Sequence, residues 1–145
     1  AELGLTLPEP AKPVASYVSY VRSGDQVTIS GQLSNDANGG IKGTVGVDVT
    51  PEQALEAARL CGLNLIAQIK AACDGDLDRV VRIVKLGGFV QAGPDFTAIP
   101  AVINGCSDMM VEVFGDAGKH ARSAVGVYKL PLGFAVEIDA IVEIR

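Results

Sequence analysis

The final stretch of the chain is the feature that most constrains its fold. Residues 134–145 alternate between two sets of side chains. The apolar set is Val136, Ile138, Ala140, Val142 and Ile144, and the other set is Glu137, Asp139, Ile141 and Glu143. Successive side chains of a strand point to opposite faces, so this pattern predicts a strand in a sheet that is covered on one face only.

Upstream segments have the apolar spacing of helices, which could provide that cover. The first helix is predicted to begin at Thr50, because Thr50 and Gln53 can cap each other's backbone N–H groups and Pro51 suits the first helical position. It is predicted to end at Asp74-Gly75-Asp76, and a second helix is predicted from about residue 98 or 100 to 114.

The other segments complete a sheet with two helices. Strands are predicted at residues 17–21, 27–30, 79–91, 121–129 and 134–145, with a bulge suggested at Gly87-Gly88 and a short extra strand suggested at 44–47. Residues 31–49 are predicted as a loop, and residues 1 to about 13, which contain three prolines, as a surface tether. The order ββ-α-β-α-ββ predicts one α+β or mixed α/β domain over residues 1–145.

Composition and charge exclude several classes of function. The net charge of −5 and the pI of about 4.8 disfavour a nucleic-acid partner, since nucleic-acid binding relies on clustered Lys and Arg. No uninterrupted run of about 18 apolar residues could span a membrane. The start of the sequence lacks the pattern of a signal peptide, so a cytoplasmic location is expected. The positive mean hydropathy hints at apolar surface used between subunits.

The cysteines and the single histidine give little sign of catalytic chemistry. Cys61, Cys73 and Cys106 are far apart, odd in number and without paired spacing, which favours buried free thiols in a reducing compartment. His120 is the only histidine, so a metal site is not expected, and a surface or loop role is favoured over a catalytic one. Nucleotide-binding loops, nucleophile elbows and zinc-protease motifs are absent from the sequence.

Three polar features fit a purely structural role poorly. Arg122 opens an otherwise apolar strand, Glu137 lies between apolar neighbours, and Ser30-Gly31-Gln32 ends the second strand. A salt bridge or solvated strand positions would account for Arg122 and Glu137. An arginine at the start of a strand is nevertheless well suited to bind a carboxylate, because its guanidinium presents a planar fork of donors.

Several of these residues carry a family resemblance. The segment RSAVGVYKLP from Arg122, followed by VEIDAI from Val136, resembles the signature of the RidA/YjgF reactive-intermediate deaminases. Tyr17 and the strand end ISGQ also match that family, and Asn104 falls near its helical asparagine, with one extra residue between Asn104 and Arg122. The resemblance covers nearly the whole chain and is most specific at its C-terminal end.

The resemblance implies a chorismate-mutase-like fold, with a mixed β-sheet, two helices on one face and three subunits whose sheets form a central barrel. The active sites would lie in clefts between subunits of this homotrimer. The implied activity is hydrolysis of enamine or imine intermediates, such as 2-aminoacrylate or 2-iminobutanoate, to 2-keto acids and ammonia. No cofactor is needed, because an imine is already electrophilic.

The resemblance also implies roles for individual residues. Arg122 would bind the substrate carboxylate, and Glu137, kept ionised by a nearby cation, would position or activate the attacking water. The other implied contacts are Tyr17, Ser30 and Asn104 as pocket lining, with backbone groups of Gly31 and Ala124. Many family members have cysteine where this chain has Ala124, and the segment before Arg122 also differs, which leaves the substrate open.

Two alternatives to the deaminase remain. In the first, the same cleft captures a small carboxylate, or serves as a regulatory surface, without catalysis. In the second, the chain is a ribonuclease, a label carried by some relatives, which the acidic charge and the single histidine disfavour.

Overall fold

The computed structural model describes residues 4–13 and 16–145. The strands are β1 (Tyr20–Ser23), β2 (Gln26–Leu33), β3 (Val80–Gln91), β4 (Ala121–Val127) and β5 (Val136–Ile144), and the helices are α1 (Pro51–Ala72) and α2 (Ile99–Phe114). The strands form one sheet in the order β1-β2-β5-β3-β4. All neighbours are antiparallel except β3 and β4, which are parallel because α2 connects them as a crossover. The predicted order ββ-α-β-α-ββ is confirmed.

Both helices cover the same face of this mixed sheet. The apolar set of β5 is buried, whereas the set that contains Glu137 and Asp139 is only partly buried. Helix α1 packs against β2 and β5, and α2 packs against β3 and β4. The alternation in the C-terminal strand therefore distinguishes the helix-covered face from the open face, as predicted.

The start of α1 also follows the sequence prediction. The Gln53 backbone N–H donates to the Thr50 hydroxyl at 3.1 Å, and the Thr50 N–H donates to Gln53 Oε1 at 2.9 Å. This reciprocal capping satisfies two backbone donors that the first turn of a helix leaves free. The helix ends at Ala72, and Asp74 then adopts a positive φ of 54° as the chain turns.

The hairpin differs from its prediction at both ends. β1 begins at Tyr20, three residues later than predicted, and β2 continues to Leu33 through part of the predicted loop. The pairing of β2 with β5 shifts between Ile29 and Gln32 and then resumes. Such a bulge breaks the two-residue period, so the end of β2 does not resemble a strand in the sequence.

The suggested bulge at Gly87-Gly88 and the suggested short strand at residues 44–47 are both wrong. Gly87 and Gly88 pair in register with both neighbouring strands, and the irregularities of β3 lie earlier, between Val80 and Lys85. Gly88 is instead required by packing, since a Cβ there would lie 2.7 Å from side-chain carbons of Ile103 on α2. Residues 44–47 form no strand and contribute only isolated bridges at Val45.

The predicted tether is confirmed for residues 4–13, which contain no helix or strand. The side chain of Leu7 packs against the core, and the carbonyl of Ala11 accepts a hydrogen bond from Gln68 Nε2 at 2.9 Å. Residues 1–3 of that prediction lie outside the described part of the chain. The segment thus runs over α1 without extending the sheet.

We expect alanine at position 105 of α2 to destabilise the protein, because this position lies against α1. A Cβ at Gly105 would collide with the backbone carbonyl of Leu55 on α1. Gly105→Ala should therefore lower the free energy of unfolding by about 1–3 kcal/mol, the usual cost of overpacking, although alanine is the better helix former. Urea unfolding followed by circular dichroism measures the change.

The reciprocal exchange at exposed Ala101 of the same helix is the control. Ala101→Gly should cost at most about 1 kcal/mol, the propensity difference of a helix interior, because Ala101 is in the first turn of α2. If alanine stabilises α2 at both positions, the close approach of the two helices is wrong.

Candidate functional site

Arg122 lies on β4, an edge strand of the sheet, and points to the face that carries the helices. The alternation along β4 places Arg122, Ala124 and Gly126 on that face, since a Cβ at Gly126 would contact Ile99 of α2. Ser123, between them, lines a separate cavity on the open face. The guanidinium is thus held between the end of the sheet and α2.

Two neutral oxygens of α2 hold the guanidinium. Arg122 Nη1 donates to Asn104 Oδ1 at 2.8 Å and to Ser107 Oγ at 3.1 Å. Asn104 and Ser107 are three positions apart and so lie next to each other on the helix surface. The two hydrogens of Nη1 are thereby engaged, which leaves the edge formed by Nε and Nη2 as the fork for a bidentate carboxylate.

An open cleft of about 420 Å³ lies in front of this arginine. Its lining residues are Ser107, Asp108, Val111, Lys119, His120 and Arg122. Three ion pairs are found within residues 4–13 and 16–145, and Arg122 takes part in none of them. The interpretation of Arg122 as one half of a salt bridge is therefore not supported.

Sequence reasoning missed the pair formed by Ser107 and His120. The His120 Nε2 atom lies 2.9 Å from Ser107 Oγ, and Nδ1 lies 2.6 Å from the carbonyl oxygen of Gly118. His120 is half-buried and is no ordinary surface histidine. Spacing could have suggested the pair, because Ser107 follows Asn104 by one helical turn and His120 precedes Arg122 by two residues.

Glu137 lies on the opposite face of the sheet. It is paired with Leu33 and Phe89 on the neighbouring strands and alternates with the buried Val136 and Ile138, which face the helices. A Cβ at Gly31 would collide with the Glu137 carboxylate, so this side chain lies directly against the Gly31 backbone. Gly31 and Glu137 are thus brought together as neighbours, away from Arg122.

No ion pair among residues 4–13 and 16–145 of one protomer includes Glu137, and the cation expected beside it stays a prediction. Burial, followed by the neighbouring Asp139 carboxylate, raises the pKa of Glu137. Burial also raises the pKa of Asp139, against the opposing effects of the Gly87 N–H and Lys85. The open face therefore carries two partly desolvated carboxyl groups.

The remaining predicted contacts divide between the two faces. Ser30 lies beside Gly31, but its hydroxyl donates to the carbonyl of Val18 at 2.7 Å and anchors the segment after Tyr17. Tyr17 is 57% exposed. Ala124 packs partly against the core on the Arg122 side. The predicted contacts thus lie on two faces of the sheet: Arg122, Asn104 and Ala124 on one, and Ser30, Gly31 and Glu137 on the other.

Neither a metal site nor a membrane span is found within residues 4–13 and 16–145. No three His, Cys, Asp or Glu side chains there converge on a position where they could hold an ion. No helix there has the length and apolar character needed to cross a bilayer.

The three thiols are free and buried, as predicted. Burial raises the pKa of Cys61 well above the ordinary value and raises that of Cys106 to about 12; it also raises the pKa of Cys73. The thiolate is the reactive form of cysteine, so these side chains are suited to packing rather than to nucleophilic attack.

Comparisons with known proteins agree over nearly the whole chain. A family model described as "YjgF/chorismate mutase-like, putative endoribonuclease" matches residues 1–141. Protein TCP17 of Trypanosoma cruzi is 51% identical over 145 residues, which cover 99% of this chain and 90% of that protein. A 2-iminobutanoate/2-iminopropanoate deaminase of Dermatophagoides farinae is 28% identical over 141 residues, which cover 97% and 95% of the two chains.

A solved structure shows the same arrangement of elements. The protein Atu1372 of Agrobacterium tumefaciens, whose function is described as unknown, superposes with a TM-score of 0.93 at 46% sequence identity. The superposition covers 99% of this chain and 89% of that protein. The likeness therefore concerns the entire fold and is not limited to the C-terminal motif.

We expect the thiols to be unreactive in the folded protein. The native chain should not react with Ellman's reagent over minutes, because the sulfurs are buried and protonated at neutral pH. In denaturant, three thiols per chain should react, the number in the sequence. Rapid reaction of a native thiol would show that one of the cysteines is accessible.

Proposed function

This chain belongs to the YjgF/chorismate mutase-like family and has its chorismate-mutase-like fold, and from that premise we propose that it hydrolyses reactive 2-imino acids to 2-keto acids and ammonia. The single observation that carries the proposal is the guanidinium of Arg122, held by neutral oxygens at the mouth of an open cleft. The relative from Dermatophagoides farinae, named for this activity, supports the choice of reaction.

Arg122 would orient the substrate through its carboxylate. Its partners Asn104 and Ser107 accept hydrogen bonds but carry no negative charge, so they do not neutralise the guanidinium. A 2-imino acid carries such a carboxylate next to the reacting carbon. Binding of the carboxylate therefore fixes the C=N bond in one position, which supplies much of the acceleration for an already electrophilic group.

Glu137 would handle the attacking water. Water adds to the imine carbon, a proton passes to nitrogen, and ammonia leaves as the carbonyl forms. A carboxylate whose pKa is raised by burial is a stronger base than an exposed one, which suits it to polarise this water. The same raised pKa predicts that activity falls with acidification at a higher pH than an exposed glutamate would allow, since only the ionised form can act as the base.

This mechanism requires a second copy of the chain. Arg122 and Glu137 lie on opposite faces of the same sheet, so one protomer cannot direct both side chains at one substrate. We therefore include in the proposal a homotrimer with its sites between subunits. The open face supports it, since Val21 and Val125 are each about half exposed there, at 54% and 46%, and Phe89 and Ile141 are only partly buried.

The proposal needs no cofactor, metal or nucleic acid and assigns a cytoplasmic location. The family description includes the term endoribonuclease, but the acidic net charge of −5 is unfavourable for binding and cleaving RNA. The three free thiols support a reducing compartment.

A second candidate function is capture of a small carboxylate without turnover. The observation that favours it is Ala124, which stands two residues after Arg122 where the resembled deaminases have cysteine. A methyl group at that position offers the substrate no polar contact. Binding of keto acids in the absence of imine hydrolysis would select this alternative.

We expect Arg122→Ala to abolish most of the activity. With 2-iminobutanoate generated in situ, formation of 2-ketobutyrate should be faster than the uncatalysed rate, and kcat/KM should fall roughly 100-fold, or about 3 kcal/mol, when the charged contact is lost. Arg22→Ala, which removes an exposed ion pair with Asp25, is the control and should leave kcat/KM close to that of the wild type. Release at the uncatalysed rate by the wild type would reject the deaminase.

We expect two inactive variants to complement each other and regain activity in mixed oligomers. Arg122→Ala and Glu137→Gln, coexpressed with different tags and purified as mixed oligomers, should recover about a quarter of the wild-type activity. With equal amounts and random mixing, each intact site needs Arg122 from one variant and Glu137 from the other. No recovery in confirmed mixed oligomers would place both side chains in one chain, and light scattering that shows a monomer would exclude the interface site.

A further inference from the structure

The hydrogen bonds around Ser107 have a defined direction. The Gly118 carbonyl can only accept, so the neutral imidazole of His120 carries its proton on Nδ1, at 2.6 Å from that oxygen. Nε2 is then an acceptor for the Ser107 hydroxyl at 2.9 Å, and Ser107 Oγ accepts from Arg122 Nη1 at 3.1 Å. A continuous series of hydrogen bonds thus joins the guanidinium to the imidazole of His120.

Protonation of His120 would reverse the direction of its hydrogen bond with Ser107. Nε2 would become a donor to Ser107 Oγ, which can accept from both the imidazolium and Arg122 with its two lone pairs. The hydroxyl hydrogen would then be free to turn into the cleft, which Ser107 lines. The cleft would gain one positive charge and one additional donor, both favourable for an anion.

We propose that Ser107 and His120 couple proton binding to carboxylate binding at Arg122, so that the cleft takes up a proton when it takes up a small 2-keto or 2-imino acid. The coupling rests on the proposed function only in that Arg122 must bind a carboxylate; it does not require turnover. His120 acts here as a positioning residue, since it reaches the ligand through Ser107. By linkage, if the anion favours the protonated imidazole, then lower pH strengthens anion binding by the same factor.

The other charges around His120 do not replace it in this role. Asp108 on α2 and Lys119, which precedes His120, also line the cleft. Lys119 is paired with Asp116 at 3.3 Å, and Arg82 of β3 donates to the carbonyl oxygens of both residues, at 2.9 and 3.5 Å. Lysine, arginine and aspartate ordinarily keep their charges between pH 6 and pH 8, whereas histidine changes its own.

Calorimetry with 2-ketobutyrate, the unreactive product, tests the coupling. Titrations at about pH 8 and about pH 6 should show binding that is at least about fivefold tighter at the lower pH, the small end of usual coupling energies. Titrations in two buffers of different ionisation enthalpy should show proton uptake on binding. Binding with the same affinity at both pH values and no proton uptake would overturn the proposal.

Variants separate coupling from a merely structural role. His120→Gln and Ser107→Ala should still bind 2-ketobutyrate but lose both proton uptake and the dependence on pH, whereas Ser107→Thr, which keeps the hydroxyl, should retain them. Lys119→Gln is the matched control, because it removes a charge from the same cleft but leaves the hydrogen bonds among Arg122, Ser107 and His120 in place. It should weaken binding equally at both pH values, and loss of proton uptake in this variant would contradict the assigned role of His120.

The wild-type protein offers a check that needs no substitution. His120 is the only histidine, so its imidazole nitrogen signals are assigned without ambiguity. At about pH 8 these signals should show the Nδ1-protonated tautomer, and 2-ketobutyrate at about pH 6.5 should shift them toward the imidazolium. An Nε2-protonated tautomer, or no response to a ligand shown to bind, would overturn the proposal.

The outcomes also distinguish this inference from the deaminase. Proton-coupled binding without imine hydrolysis would support the inference and reject the enzymatic proposal. Imine hydrolysis together with binding that takes up no proton would support the enzymatic proposal and reject the inference. Absence of 2-ketobutyrate binding at both pH values would overturn the inference together with the carboxylate site at Arg122.

Discussion

The separation of two charged groups by one layer of β-sheet is the constraint on which the rest of the structure depends. Adjacent side chains of a strand point to opposite faces, so the positions of Arg122 on β4 and Glu137 on β5 fix them on different sides. Neither side chain can pass through a hydrogen-bonded sheet. The proposed site, which uses both, therefore requires two chains.

The electrostatics of the two faces are compatible with the proposed site. On the helix-covered side, Arg122 is positioned by an amide and a hydroxyl oxygen and keeps its charge for a ligand. On the open side, burial raises the pKa of both Glu137 and Asp139 even within the protomer. A guanidinium opposite such a carboxyl group, as the proposed trimer would place it, would offset part of the desolvation cost.

The chemistry proposed for the site depends on position and charge and does not use a cysteine nucleophile. The three thiols are enclosed in the core with raised pKa values, and Ala124 supplies only a methyl group beside the arginine. Hydrolysis of an imine is compatible with such a site, because the substrate carries its own electrophile. The proposed hydrolysis gives no role to Ser107 and His120, although these polar side chains lie close to Arg122.

The sequence by itself determined the features that rest on local periodicity. The alternation of β5 distinguished its two faces, Thr50 and Gln53 marked the start of α1, and the motif around Arg122 identified the family. These signals lie within short windows, where strand and helix geometry act directly on neighbouring residues. The irregular ends of the hairpin were not predictable in this way, since the bulge after Ile29 breaks the period on which such a prediction depends.

Only the tertiary structure decided which distant residues meet. Ser107 and His120 are 13 positions apart and come together because α2 crosses back over β4, and Gly88 is small because Ile103 of the same helix packs onto it. The tertiary structure also placed Arg122 and Glu137 on opposite faces, which the sequence motif by itself does not indicate. Such contacts depend on the packing of one element against another, which no pattern within either segment specifies.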